Sequence, residues 1–150
     1  MRIGIADTMF ARVDMASAAI DVLRKENSSV EIERYTVPGF KDLPVAAKKL
    51  IEEKGCDIVL AFGWVGKEDI DERCASEANI GLIYAELMTN KHILKVFFHE
   101  QETFDEKKQK EIALERARKH ALNALALLKG VLMPFAGKGK RQGYDDAGGL

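Results

Sequence analysis

The feature that most constrains the fold of this chain is an alternation of short apolar segments with longer amphipathic ones. The short segments cover residues 2–7, 30–37, 57–62 and 93–98 and contain many β-branched and other apolar residues. Between them, apolar residues recur every three or four positions, which is typical of helices that cover a sheet. The alternation predicts an α/β fold, a flavodoxin-like doubly wound parallel sheet of four strands with helices on both faces.

The segments differ in how deeply they are expected to lie. Residues 57–62 form an uninterrupted apolar run, which predicts a strand buried on both faces. Residues 30–37 mix charged and apolar side chains and therefore predict a strand nearer an edge of the sheet. The third helix is expected over residues 69–88. The fourth is expected to start at a capping box formed by Thr103 and Glu106 and to end at Gly130.

The length of the chain, 150 residues, fits one domain. We expect residues 1–135 to form a single α/β domain. Residues 136–150 are rich in glycine and charged side chains, a composition typical of a disordered C-terminal tail.

Composition and charge argue against several classes of function. The 23 basic and 24 acidic residues are interspersed and leave a net charge of −1, so no nucleic-acid-binding surface is predicted. No apolar run is long enough to span a membrane, and Cys56 and Cys74 lack the neighbours of a metal or disulfide motif. The sequence therefore predicts a cytoplasmic protein that acts on a small molecule.

Ligands of doubly wound sheets bind at the carboxyl ends of the strands, and the unusual loop residues of this chain fall there. The candidate residues are Thr8, Met9, Phe10, Arg12 and Asp14 after the first strand, Pro38, Gly39, Phe40, Lys41 and Asp42 after the second, Gly63, Trp64, Val65 and Gly66 after the third, and His99 and Glu100 after the fourth. The prolines at 38 and 44 predict the end of a strand and the first turn of a helix. An ordinary strand-to-helix turn explains this loop equally well.

The loop after the first strand has no glycine-rich phosphate-binding motif, which argues against a nucleotide ligand. Phe10 is suited to stack on a flat heterocycle, while Arg12 and Asp14 offer polar contacts. An equally good interpretation is that Phe10 covers the core and that Arg12 pairs with Asp14 on the surface.

Residues His99 and Glu100 together predict a proton-handling pair at the end of the fourth strand. A structural role for the histidine is an open alternative, and Trp64 is typical of a buried or interface anchor. The three histidines form no metal motif, so no metal-ligating residue is predicted.

The third helix carries more apolar surface than one contact with a sheet requires. Its second apolar stripe consists of Ile80, Ile83, Tyr84 and Leu87. We therefore expect part of this helix to pack on another subunit.

Several motifs, taken in combination and order, are specific to one family. They are DTMFARVDMA at residues 7–16, VPGFKDLP at 37–44, LMTNKH at 87–92, VFFHE at 96–100, and GKG with RQG at 137–139 and 141–143. With these blocks, which span nearly the whole chain, the sequence closely resembles the archaeal type of riboflavin synthase, a family related to lumazine synthase. The tail resembles a family signature, so residues 136–150 are also expected to be ordered over a site.

The resemblance implies a transferase of riboflavin biosynthesis that converts two molecules of 6,7-dimethyl-8-ribityllumazine into riboflavin and 5-amino-6-ribitylamino-2,4(1H,3H)-pyrimidinedione. It implies a homopentamer with sites between adjacent subunits, and neither nucleic acid nor a membrane as partner. It implies no redox cofactor, but a divalent ion such as Mg²⁺ that assists turnover.

The resemblance also implies roles for individual residues. Phe10 corresponds to the ring-stacking contact, residues 38–42 to the loop that holds the ribityl chain, and the backbone of residues 63–66 to the loop that faces the pyrimidine. His99 and Glu100 correspond to a strand end that faces a neighbouring subunit's site, and we assign them and Arg12 to catalysis.

Three other functions are alternatives for this sequence. A lumazine synthase is disfavoured because residues 64–74 contain no histidine, whereas that family handles a phosphorylated sugar with a histidine in this loop. A non-catalytic carrier of lumazine or flavin would keep the stacking aromatic without turnover. A receiver-type interaction module ranks last, because the third strand lacks a terminal phosphoacceptor aspartate.

Overall fold

The computed structural model describes all residues from 1 to 150. The strands and helices alternate along the chain. They are β1 (Arg2–Thr8), α1 (Met15–Glu26), β2 (Glu31–Val37), α2 (Leu43–Glu52), β3 (Ile58–Val65), α3 (Asp69–Thr89), β4 (Ile93–His99) and α4 (Glu106–Lys129). Short 3₁₀ turns precede α2 and α4 and follow α4. None of the helices combines the length and the apolar character that a membrane span requires.

The four strands form one parallel sheet in the order β2-β1-β3-β4. This order confirms the doubly wound prediction, and it places the topological switch point between β1 and β3. All eight residues of β3 are buried. β2, which is mostly exposed, lies at one edge as predicted, and β4 forms the other edge.

Two apolar cores fill the spaces between the sheet and its helices. Helices α1 and α4 pack together on one face, where Phe62, Trp64 and Phe98 are the largest buried side chains. Helices α2 and α3 pack on the other face around Leu43, Leu82 and neighbouring aliphatic residues. Each such side chain contributes about 1.5–3 kcal/mol on burial. The helices on both faces therefore hold the sheet rigidly beneath its loops.

Two local predictions were wrong. Residues 63–66, predicted as a loop after the third strand, are strand as far as Val65, because the ladder between β3 and β4 continues to the pair Val65–His99. The capping box of Thr103 and Glu106 does not form. Instead, Asp105 caps α4 by accepting hydrogen bonds from the backbone N–H groups of Lys107 and Lys108. As predicted, Gly130 terminates the helix: it follows Lys129 as the C-cap, and its φ of 67° is left-handed.

The C-terminal tail lies against α4. Arg116 donates from Nε to the carbonyl oxygen of Gly143 at 3.1 Å, and its guanidinium lies 4.1 Å from the centre of the Tyr144 ring. Gly143 has a φ of 78°, and a Cβ there would lie 2.7 Å from Nε2 of His120. Only glycine therefore allows the tail to pack this closely on α4.

His120, beneath the tail, predicts an acid sensitivity of the fold. Burial, with a smaller effect from the positive charge of Arg116, lowers the pKa of His120 from 6.5 to about 4. Unfolded protein would bind a proton that native protein excludes, so stability is expected to fall as the pH drops from 6.5 toward 4, by on the order of 2–3 kcal/mol. Denaturant titrations across this range should show the loss. A matched series on His120→Leu should be flatter, and an equally steep one would contradict the assignment.

Candidate functional site

The carboxyl ends of the strands border a cleft beside the exposed ring of Phe10. The cleft has a volume of about 340 Å³. We call it the Phe10 cleft, and its lining consists of Phe10, Pro38, Gly39, Phe40, Lys41, Asp42, Asp71 and Cys74. The loops predicted after β1 and β2 thus come together in one place, joined by a hydrogen bond of 2.9 Å from the Met9 N–H to the Val37 carbonyl.

The Pro38 loop is held in shape by its own polar groups. The Asp42 carboxylate accepts from the Gly39 N–H at 3.1 Å, and the Asp42 N–H donates to the Gly39 carbonyl at 3.0 Å. Pro44 lies in the first turn of α2, as predicted. Lys41 pairs with Glu77 of α3 at 2.7 Å, and this contact raises the pKa of Lys41. The loop therefore presents a fixed backbone and a permanently charged lysine to the cleft.

The first loop offers an exposed aromatic surface. Phe10 is 53 % exposed and Met9 is 74 % exposed. Large apolar side chains at a cleft rim, without cover from their own chain, are suited to contact a flat ligand or a neighbouring subunit. Phe10 is therefore not cover for the core of its own chain.

A second recess, of about 260 Å³, lies on the other side of the first loop. At its base, Arg34 donates to the buried carboxylate of Asp7 at 2.6 Å and to Asp14 at 3.0 Å. Asp14 also caps α1 by accepting from the Ser17 N–H. Burial opposes ionisation of Asp14, but these hydrogen bonds outweigh it and lower its pKa. The Asp14 carboxylate thus already has partners in Arg34 and in the first turn of α1. In contrast, the buried hydroxyl of Thr8 has no hydrogen-bond partner.

Glu100 lies on the α1 and α4 side of the sheet. Its Oε1 accepts from Trp64 Nε1 at 2.8 Å and lies 3.6 Å from Nη1 of Arg12. Trp64 is only 1 % exposed, so its indole anchors the carboxylate from within the core. Arg12 is half exposed and also pairs with Glu106 at 3.2 Å. The arrangement joins two predicted catalytic residues, Glu100 and Arg12, through one carboxylate oxygen.

His99 lies on the opposite side and has a different partner. Its Nδ1 is 2.8 Å and 3.0 Å from the two carboxylate oxygens of Glu72, in the first turn of α3. His99 and Glu100 therefore do not contact each other, and their role as a proton-handling pair stays a prediction. Consecutive residues at the end of a strand point to opposite faces, so the two side chains contact different elements.

The end of β3 and the residue that follows it offer backbone rather than side chains to the crevice. Trp64 and Val65 are buried, and a Cβ at Gly66 would lie 2.4 Å from Oδ2 of Asp71. β1 pairs with β3 only as far as Ala6 and Ala61, so residues 63–65 lie beyond that ladder at the switch point. A ligand at this crevice would meet their main chain.

Sequence reasoning missed four residues of α3. Asp71 and Cys74 line the Phe10 cleft, Glu72 contacts His99, and Glu77 pairs with Lys41. The available signal was their position in the first three turns of α3, which follow the third strand and face the same crevice as its loop. Restricting the candidates to loop residues overlooked this. In contrast, Cys56 is buried, which raises its pKa to about 11 and makes it an unreactive thiol.

The expectation of a divalent ion requires a group of ligands. No set of three or more His, Cys, Asp or Glu side chains in this chain is arranged to hold a metal ion. Mg²⁺ is usually bound through one or two carboxylates together with substrate oxygens and water, so an effect of this ion stays a prediction.

The fold and the crevice define a doubly wound α/β protein with a candidate small-molecule site at the strand ends and no phosphate-binding glycine loop. The family profile of 6,7-dimethyl-8-ribityllumazine synthase matches residues 1–131, and the chain belongs to this family. Riboflavin synthase from Methanothermobacter thermautotrophicus is 53 % identical over 152 residues, covering 100 % of this chain and 99 % of the relative. Riboflavin synthase from Archaeoglobus fulgidus is 53 % identical over 150 residues, with 99 % and 97 % covered.

A more distant relative extends the same result. Riboflavin synthase from Aeropyrum pernix is 46 % identical over 149 residues, covering 97 % of this chain and 96 % of the relative. These full-length similarities confirm the resemblance to archaeal riboflavin synthases.

Proposed function

We propose that this protein is a riboflavin synthase. It transfers a four-carbon unit between two molecules of 6,7-dimethyl-8-ribityllumazine, and it releases riboflavin and 5-amino-6-ribitylamino-2,4(1H,3H)-pyrimidinedione. The observation that carries the proposal is the full-length identity of 46–53 % to relatives named riboflavin synthase.

The geometry of the Phe10 cleft supports a ring-and-chain substrate. In the proposal, the exposed face of Phe10 stacks on the lumazine ring. The main chain of residues 38–42 and the charged groups of Lys41 and Asp42 bind the hydroxyls of the ribityl chain. The backbone beyond the β1 ladder, at residues 63–66, faces the pyrimidine edge. Apolar contact and polar contact are thus supplied by neighbouring loops.

The chemistry requires a proton to leave the C7 methyl group of one lumazine before that carbon attacks the other. Four carbons then leave the donor ring and complete the third ring of riboflavin, and the remainder of the donor is the pyrimidinedione. Holding two substrates together replaces a bimolecular encounter and can contribute roughly 7–11 kcal/mol. His99 or Glu100 assists the proton transfer, and Arg12 polarises a ring carbonyl.

The Phe10 cleft of one chain is small for two substrate molecules. The Phe10 cleft, at about 340 Å³, lies at the lower end of the roughly 300–1,000 Å³ of small-molecule pockets. The second apolar stripe of α3 is exposed, with Tyr84 at 63 % and Leu87 at 76 %. We therefore propose a cytoplasmic homopentamer in which adjacent subunits complete each site. A mass of five protomers by light scattering would support it, and a stable monomer would contradict it.

The test of function is an incubation of purified protein with 6,7-dimethyl-8-ribityllumazine, with and without Mg²⁺. We expect riboflavin and the pyrimidinedione to appear in equal amounts, quantified by absorbance and chromatography. The Mg²⁺ arm tests whether a divalent ion assists turnover. Boiled protein is the control for spontaneous conversion.

This incubation, and a second one with the pyrimidinedione and a phosphorylated sugar in place of lumazine, separate the alternatives. Tight binding without either product would favour a non-catalytic carrier. Formation of lumazine from the pyrimidinedione and a phosphorylated sugar, without riboflavin, would favour a lumazine synthase. Either result would contradict the proposed dismutation.

A further inference from the structure

The link between His99 and Glu72 joins the carboxyl end of β4 to the first turn of α3. Both oxygens of the Glu72 carboxylate lie within 3.0 Å of Nδ1 of His99. The side chains are only 28 % and 31 % exposed. Glu72 makes no other side-chain hydrogen bond or ion pair in the structure, so the His99 ring is the one partner of its carboxylate.

The rest of His99 is also fixed. Its backbone N–H donates to Oε2 of Glu102 at 2.9 Å, and Glu102 is in turn held by Arg116. The main chain is thus anchored from α4, while the ring is anchored from α3. This two-sided support leaves the imidazole little freedom to rotate, which is what a positioned proton-transfer group requires.

The chemistry of the two groups determines which nitrogen carries the proton. An ionised carboxylate can only accept hydrogen bonds, so the neutral imidazole must place its proton on Nδ1. Its Nε2 then keeps the lone pair and is the basic nitrogen. A carboxylate that holds a histidine in one tautomer is the arrangement by which a base is oriented in acyl-transfer triads.

We propose that Glu72 is a positioning residue for His99, which it holds in the tautomer that is basic at Nε2. This inference rests on the proposed function, because it assigns His99 to the removal of the substrate's methyl proton. Glu72 itself touches no reacting atom. The alternative is a surface ion pair that contributes at most about 1 kcal/mol to stability and nothing to turnover.

The test compares Glu72→Gln with Glu72→Asp. The amide of glutamine can turn its N–H toward Nδ1 and favour the tautomer protonated at Nε2, whereas aspartate keeps the carboxylate. We expect Glu72→Gln to lower kcat by about 10- to 100-fold, less than the roughly 10⁴-fold loss in a fully buried triad. KM should change by less than about threefold, and Glu72→Asp should recover part of the loss.

A spectroscopic measurement separates positioning from a merely structural role. The ¹⁵N shifts of the histidine rings, recorded at a pH where the imidazoles are neutral, report the tautomer without any turnover. The chain has 3 histidines, so the His99 signals can be assigned by substitution. Wild type and Glu72→Asp should show the proton on Nδ1, and Glu72→Gln should shift it toward Nε2.

The matched control is Asp69→Asn, which removes an exposed carboxylate from the same first turn of α3. It should leave kcat and the tautomer unchanged. An unchanged tautomer in Glu72→Gln, whatever its kcat, would overturn the inference, as would an unchanged kcat. Wild-type protein without turnover would overturn the proposed function, while the ring spectra would still decide whether Glu72 holds His99.

Discussion

Replacing Arg116 with methionine is expected to lower the free energy of unfolding by about 3 kcal/mol. Arg116 has a side chain that is only 3 % exposed, and it forms a two-pronged ion pair with Glu102 at 2.6 Å and 2.6 Å. It also donates to the carbonyl oxygens of Phe97 and Gly143. Methionine fills a similar volume but leaves one partly buried carboxylate and two carbonyls without their donor.

The magnitude follows from the exposure of the partner. Breaking a buried pair by removing one member costs about 3–5 kcal/mol. The Glu102 side chain is 22 % exposed and can turn toward water, which places the expected loss at the lower end. Chemical denaturation of wild type and variant at one protomer concentration measures it.

The control is Arg118→Met, two residues further along the same helix. Arg118 is 46 % exposed and lies 3.7 Å from Glu115, a surface pair that contributes about 0.5 kcal/mol or less. If both arginine variants were destabilised equally, the central role of the Arg116 cluster would be refuted.

The cost of losing Arg116 is expected to depend on pH. Burial opposes ionisation of Glu102, but hydrogen bonds from Arg116 and the His99 backbone outweigh it and lower the pKa of Glu102 below 4.5. A carboxyl with a lowered native pKa stabilises the fold above its unfolded pKa and loses that contribution as the pH falls through the native one. The difference between wild type and Arg116→Met should therefore be largest near neutrality. It should shrink slightly below about pH 6.5, because losing the Arg116 charge also weakens the pKa shift of His120, and shrink further below about pH 4.5.

Replacing His99 with alanine is expected to reduce kcat for riboflavin formation by about 10²- to 10⁴-fold, the usual contribution of a general acid or base. Binding of the lumazine should change little, because the Phe10 cleft and its loops do not include the imidazole. Steady-state kinetics, together with a fluorescence titration of the substrate, separate the two effects.

His92→Ala is the matched control for His99→Ala. His92 is exposed, it precedes the amino end of β4, and it is the same residue type at the far end of the same strand. Its removal should leave kcat within about twofold of wild type. Full activity in His99→Ala would remove the histidine from the proposed proton transfer and shift that role to Glu100.

Local sequence patterns predicted the secondary structure well because they depend on neighbours in the chain. The predicted third helix, residues 69–88, differs by one residue from Asp69–Thr89. The mixed character of residues 30–37 correctly predicted an edge strand, since an edge strand needs to bury only part of its surface. The error at residues 63–65 arose because the pattern was read as ending at glycine. A ladder partner on β4 extends the strand, and sequence alone does not reveal that partner.

The location of the candidate site could also be predicted, but the pairing of its charges could not. Parallel strands all have their carboxyl ends at the same end of the sheet, so Phe10, the Pro38 loop and His99 were expected there. The choice of partners depends on which helix faces each strand end. His99 meets Glu72, 27 residues away, and Glu100 meets Trp64, 36 residues away.

By itself, the sequence determined the order of strands and helices along the chain, the end of the sheet where a ligand is expected to bind, and the family. These follow from local periodicity, from the geometry common to parallel sheets and from matched motifs. Only the tertiary structure decided that Glu72 holds the ring of His99 and that Arg116 fixes Gly143 and Tyr144 against α4. Such contacts join residues far apart in the chain, and packing selects among many equally charged candidates on the basis of distance and burial.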